Sequence, residues 1–256
     1  MNSLQLLGSQ TARNGFRNEH DIADKFNNWQ SDCDAKKWLV IMNYDLIQIE
    51  DVQAVVISGY KADVNVQVKI KLKSAVDVEN IQVKLVSNLR GFNQINKRWI
   101  DEYVKFWNIP QGISCILKHF TGELLPSIPN PRDPRRMFID EFTVQEQTSL
   151  FDFFRQNKLL ILNDIFRGRG NFTAEWVLVA QRINSNARWV LKNINEVINY
   201  YNGDIVISPR GSITIGKITI QRKGGDGGRK TANMLQFKIN PALLFGENEY
   251  RNEFNN

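Results

Sequence analysis

From Asp63 to Lys73 the chain alternates without a break. Val64, Val66, Val68, Ile70 and Leu72 fall on one side, and Asp63, Asn65, Gln67, Lys69, Lys71 and Lys73 on the other. Successive side chains of a strand point to opposite faces, so this pattern specifies a strand with one buried face. Ser74 to Asn80 reads as a turn. Ile81, Val83 and Leu85 then alternate with Gln82 and Lys84 on a return strand. The expectation is a β-hairpin turning near 75–77.

The flanking segments supply helices and further strands. Phe16, Ile22, Ala23, Phe26 and Trp29 recur at near-helical spacing and predict an amphipathic helix over roughly 15–30. Gln53 to Ser58 reads as a short apolar strand. Trp99, Tyr103 and Phe106-Trp107 mark one helix, and Ile113, Leu117 and Phe120 another. PSIPNPRDPRR (126–136) holds four prolines and predicts a rigid, basic, exposed loop. Thr143 and Glu146 form a capping box before a helix carrying Leu150, Phe153 and Phe154. AEWVLVAQRI (174–183) reads as a buried strand, and Trp189 to Tyr201 as a helix. Near the end, Ile213 and Ile215 lose phase with Ile218 and Ile220 at Gly216, which suggests a β-bulge. GGDGG (224–228) then turns into a strand carrying Leu235, Phe237 and Ile239. The fold class that follows is mixed α/β: a mixed sheet flanked by helices, with a C-terminal β-rich part. The expected division is a catalytic core over 1–185 and a second part over 186–256.

Composition narrows the function. The chain has 256 residues, 42% of them hydrophobic, enough for a sizeable core. Lys and Arg number 33 against 27 Asp and Glu, a net charge of +6 that favours an anionic partner. Cys33 and Cys115 are too few and too far apart for a disulfide framework, which points to a reducing cytoplasm. Cys115 and His119 are four apart, but no usual spacing completes a zinc site. The first residues lack the basic start and apolar run of a signal peptide, and no run approaches a membrane span.

The polar face of the hairpin carries the chemistry. Asp63 supplies a hard anionic oxygen suited to Mg²⁺, and Gln82 a neutral amide oxygen. Lys84, two residues on, shares the face of Gln82 and can position an attacking water or stabilise charge on a phosphorane. These are the parts of metal-dependent phosphodiester hydrolysis. Glu19, on the first helix, can add a carboxylate through a water. The bland alternative is a solvated strand face of mixed charge. A rival triple, Asp63, Gln67 and Lys69, fails on reach, since six residues of strand span about 20 Å.

The wording of the chain goes further than these spacings. It resembles the type II restriction endonucleases of the PD-(D/E)xK nuclease superfamily, and within them the HinP type that cuts GCGC after its first G. The segments that carry the resemblance are GFRNEHDIAD (15–24), SGYKADVNVQV (58–68), NIQVKLVSN (80–88), RGFNQI (90–95), HFTGEL (119–124) and RGRG (167–170). AEWVLVAQ (174–181), NINEV (193–197), SPRGSI (208–213), TIQRKGGD (219–226) and TANMLQFKI (231–239) extend it over nearly the whole chain. The resemblance implies a restriction-endonuclease-like fold with Asp63, Gln82 and Lys84 as the catalytic set. Gln82 stands where the superfamily usually has Asp or Glu, so metal affinity is expected to be weaker than at a two-carboxylate site. It also implies a Mg²⁺-dependent enzyme that cuts double-stranded DNA at a short palindrome, G/CGC, and leaves 5′-phosphate ends. A companion DNA methyltransferase would protect the host's own sites. The alternatives are a repair or resolvase nuclease on the same fold, or a DNA-binding protein with a dead core.

DNA reading is expected in two places. Arg90, Phe92 and Gln94 leave the catalytic strand directly, with Phe92 as an apolar wedge and Gln94 as a polar contact. Arg210, Gln221, Arg222, Lys223, Asp226, Arg229, Lys230, Gln236 and Lys238 surround the GGDGG turn. A two-stranded ribbon fits the major groove, where Arg reads guanine and Asp reads cytosine. GGDGGRKT lacks phosphate-loop spacing and opens no helix, so nucleotide hydrolysis is excluded.

Overall fold

The structure is a computed structural model that describes residues 3–57, 65–170, 172–183, 186–225 and 228–246. The chain divides into two compact units that interleave along the sequence. The first comprises the described residues of Met1–Gly91, Arg167–Val197 and Asn240–Asn256; the second is Phe92–Phe166 with Ile198–Ile239.

The first unit is built on five strands: β1 (Ile49–Val56), β2 (Val66–Leu72), β3 (Val76–Val86), β5 (Trp176–Ile183) and β6 (Asn186–Asn193), in the order β1-β2-β3-β5-β6. All neighbours are antiparallel except β3 and β5, which run parallel. Helix α1 (Ser3–Asn27) packs on β1, β2 and β3. Its Ile22 and Phe26 are buried with Val66, Val68, Ile70, Ile81 and Val83. The expected apolar stripe holds from Ile22 to Trp29, but Phe16 is half exposed. Helix α2 (Cys33–Ile41) has no counterpart among the expectations. Asp32 caps it, accepting from Asp34 N and Ala35 N, and Lys25 Nζ binds both Asp32 and Asp34 at 2.9 Å.

The second unit contains the antiparallel sheet β4-β10-β9-β8-β7, formed by β4 (Asn93–Arg98), β7 (Ile205–Ile207), β8 (Ile213–Ile215), β9 (Ile218–Arg222) and β10 (Leu235–Ile239). Helices α3 (Ile100–Trp107), α4 (Gln111–Thr121), α5 (Val144–Gln156) and α6 (Lys158–Arg167) complete it, α6 ending one residue into the first unit. Helix α3 buries Ile100, Tyr103 and Trp107, one face of a helix. Asp164 is buried in α6 and accepts from both Arg98 Nη1 and Trp107 Nε1 at 2.9 Å. The capping box at Thr143 and Glu146 is formed as expected.

Three local expectations are corrected. The hairpin turn is shorter: β3 already begins at Val76, and Leu72 N bonds Ala75 O. Trp189 to Tyr201 is not one helix. Its first half is strand β6, paired with β5 through Trp189 opposite Ala180, and only α7 (Ile194–Tyr201) is helical. An open antiparallel edge on β5 overrides the helical pattern. The phase slip at Gly216 is a hairpin turn, since Ile215 pairs with Ile218. Gly216 has φ +53, and a Cβ there would stand 2.5 Å from Tyr201 O. This sheet's irregularity lies instead between Phe237 and Lys238, opposite β4.

Candidate active site

Strand β3 is central in its sheet, and that position decides what its side chains can do. Val66 pairs with Ile81 across the hairpin, while Gln82 and Lys84 lie beside Val177 and Val179 of β5. Strands with neighbours on both sides and covered faces are buried almost continuously. The turn Pro241–Phe245 lies against β3 and β5. Gln82 is accordingly only 1% exposed, whereas alternation alone predicts a solvated face. Its Nε2 has no hydrogen-bond partner among the described residues. A buried amide left in that state costs about 1–3 kcal/mol unless something else satisfies it. Lys84 is half-buried on the same face.

Glu19 is brought to this strand through one intermediary. Asn65 Nδ2 donates to Glu19 Oε1 at 2.9 Å, and Asn65 Oδ1 accepts from Val83 N at 3.0 Å. Helix α1 is thereby tied to the β3 backbone midway between Gln82 and Lys84. Burial pushes the Glu19 carboxyl above the usual carboxylate range, while the charges of Lys84 and His20 pull it back. Asn18 is 2% exposed, and neither amide atom has a partner among the described residues. It lines a cavity of about 210 Å³ with Arg17, Leu85, Ser87 and Arg182.

Asp63 lies outside the described residues. The rival strand residues behave otherwise than Gln82 and Lys84. Gln67 donates to Asn80 Oδ1, and Lys69 is exposed opposite Val78. Cys33 and Cys115 are both free thiols. Among the described residues no three His, Cys, Asp or Glu side chains gather as a metal cluster.

The surface candidates separate by burial. Phe92 is 49% exposed, and Arg90 and Gln94 are also exposed. Gly91 closes a tight turn to Asn88 O, and Asn93 and Gln94 belong to β4 rather than to a loop. Arg210, Arg229 and Lys230 are exposed; Gln221, Lys223 and Lys238 are half-buried. Arg222 is held by Asn233 Oδ1. Gln236 is buried, donating to Lys223 O at 3.3 Å, and so does not present its amide at the surface. Asp226 lies outside the described residues.

Residues 42–245 match the family model described as R.HinP1I restriction endonuclease. The chain belongs to that family. Among solved structures it is similar to restriction endonuclease MspI in complex with its cognate DNA, with a TM-score of 0.64, 15% sequence identity and 93% of each chain covered. At that identity the likeness shows the fold. No curated protein matches the chain. As a member of the R.HinP1I family it is a type II site-specific deoxyribonuclease. Enzymes of this class use a divalent metal. Among the described residues near β3, the Glu19 carboxylate and the Gln82 amide carry hard oxygens of the kind that suits such an ion. No helix among the described residues is long and apolar enough to cross a membrane.

Proposed function

We propose that this chain is a Mg²⁺-dependent endonuclease that cuts double-stranded DNA at G/CGC and leaves 5′-phosphate and 3′-hydroxyl ends. It would work in the cytoplasm beside a companion DNA methyltransferase that protects the host's sites. The observation that carries the reading is the link from Glu19 through Asn65 to Val83 N, which joins a carboxylate to the strand bearing Gln82 and Lys84.

Asp63 and Gln82 would hold the cation, with Glu19 as an auxiliary carboxylate. When bound, such an ion offsets phosphate charge and lowers the pKa of an attacking water. Lys84 donates to the phosphate oxygens as negative charge builds on them. Water attacks in line, the bond from phosphorus to the 3′ oxygen breaks, and that oxygen leaves as the hydroxyl. Asn65 keeps the Glu19 carboxylate aimed, and the burial of Gln82 fixes its amide before substrate arrives.

Cleavage is assigned to the unit carrying β3, and reading to the unit carrying β4 and β7–β10. In this reading the functional division would follow the two compact units. Arg90, at the edge of the first unit, and Phe92, Gln94, Arg210, Gln221, Arg222, Lys223, Asp226, Arg229 and Lys238 are the proposed DNA-facing set. Digestion of a sequenced plasmid with end mapping tests this reading. Discrete bands ending at G/CGC support it. Nicks placed by DNA structure would favour a resolvase-type nuclease, and absence of any Mg²⁺-dependent cutting a dead core.

A further inference from the structure

The proline-rich loop and the turn before β8 build one cavity together. It encloses about 300 Å³ and is lined by Asp133, Arg135, Arg136, Phe138, Arg210, Ser212, Gln221, Arg222 and Gly224. Four guanidiniums face one carboxylate there, leaving an excess of three positive charges.

The arginines are held in place, not scattered. Arg135 Nε and Nη2 grip Asp133 at 2.9 Å. That leaves Arg136 only a long contact to the same carboxylate, at 3.8 Å. Phe138 lies between two guanidiniums, Arg132 at 4.2 Å and Arg136 at 4.1 Å from its ring centre. Arg222 has a neutral partner, Asn233, whose Nδ2 is anchored on Gly122 O. Arg210 makes no ion pair or hydrogen bond among the described residues. Its neighbour Gly211 has φ +70, and a Cβ there would lie 2.6 Å from Asp140 Oδ1 and 2.8 Å from the Phe138 Cβ. Gly211 O also accepts from Ile139 N, pinning the Arg210 turn to the loop.

Like charges this close repel. Burial first, then the charges of Arg222, Arg135 and Arg132, hold Arg136 below the usual guanidinium range against the pull of Asp133. Burial and Arg135 do the same to Arg222. The cavity is therefore arranged for an anion that is not part of the protein.

We infer that Arg135, Arg136, Arg210 and Arg222 form a seat for one backbone phosphate of the DNA. The inference rests on the nuclease reading and deepens it. A guanine edge offers two neutral acceptors and leaves the excess charge unmet, whereas a phosphodiester carries a full negative charge. Arg210 and Arg222 then set position and affinity. The exposed Arg229, which is not among the residues lining the cavity, becomes the arginine free to read a base.

Two measurements test this on the full chain. In EDTA, at fixed ionic strength, melting is followed with inorganic phosphate replacing chloride. Phosphate should raise the melting temperature of the wild type, and the rise should fall by half or more in Arg136→Gln and in Arg210→Gln. Arg210 is exposed, so its variant keeps the fold if that of the half-buried Arg136 does not. Binding to GCGC and scrambled duplexes is then measured across salt. Either variant should reduce the slope of log K on log salt by up to about 0.9, the share of one phosphate, on both duplexes, with their affinity ratio unchanged. Equal phosphate stabilisation in wild type and variants, or none in the wild type, overturns the seat. So does an unchanged slope with a collapsed ratio, which would mean base reading. Failure of the wild type to cut any DNA would sink the nuclease reading, while the phosphate arm would still report on the cavity.

Discussion

The β3 strand and the arginine cavity treat buried polarity in opposite ways. Around β3 a neutral amide, Gln82, is enclosed, and one carboxylate and one ammonium, Glu19 and Lys84, lie close enough to feel each other's charge. Positions there are set by backbone pairing and by the Asn65 bridge. In the cavity four guanidiniums crowd one carboxylate, and position is set by an aromatic clamp, Phe138, and a side-chain anchor, Asn233. The first arrangement fixes geometry with little net charge; the second stores charge. Geometry is what a reacting phosphate requires, and charge is what holding a DNA backbone requires.

Breaking the geometric side should produce the largest effects. Lys84→Ala is expected to lower cleavage by about 10²–10³-fold or more while DNA affinity stays near wild type. Lys69→Ala, on the exposed part of β2, should cut within a few-fold of wild type. Single-turnover cleavage of a labelled duplex, with binding measured in Ca²⁺, separates the two. Asp63→Ala should behave like Lys84→Ala.

A smaller loss is expected from Asn65→Ala. It leaves Val83 N and the Glu19 carboxylate without their partner, a cost of about 1–3 kcal/mol for the buried donor. Urea unfolding should show that loss, and the rate at saturating Mg²⁺ should fall with it. A variant equally stable and equally fast would mean that the Asn65 bridge positions nothing.

Gln82→Glu sharpens the same side. The added negative charge should lower the Mg²⁺ concentration needed for half-maximal rate, even if the rate itself falls. Unchanged metal dependence would remove Gln82 from the cation's ligands.

On the charge side the smallest effect belongs to Asp133. The Arg135 hydrogen bonds hold its carboxyl down at about 2, against the penalty of burial. A depressed carboxyl adds stability above its unfolded pKa, and this is lost as pH falls through the folded value. Asp133→Asn should therefore flatten the acid limb of the stability curve slightly. It should also strengthen binding to scrambled DNA at low salt, because the cavity gains one net charge. Acid titration and a salt series on the variant measure both.

Much of this was legible in the residues, and the gaps have physical causes. The alternation at 66–72 and the capping box at Thr143 identify their elements directly. Alternation cannot reveal that β3 is central, so the burial of Gln82 is a tertiary fact. The short turn at Gly216 mimics a bulge in the sequence, and Asn186–Asn193 becomes a strand because β5 recruits it as a partner. Helix α2 carried a readable signal: Asp32, then Ala35, Trp38 and Leu39 at helical spacing. The Arg-Asp-Pro-Arg-Arg run was visible as a basic loop, but its meeting with Arg210 and Arg222 joins positions about 80 residues apart that spacing alone does not connect.

The most direct test is digestion of a sequenced plasmid by wild type and Lys84→Ala in Mg²⁺, with every end mapped. Wild type should yield 5′-phosphate ends at G/CGC, and the variant should bind the same DNA and leave it intact. Ends at G/CGC produced by the variant within tenfold of the wild-type rate would contradict the account.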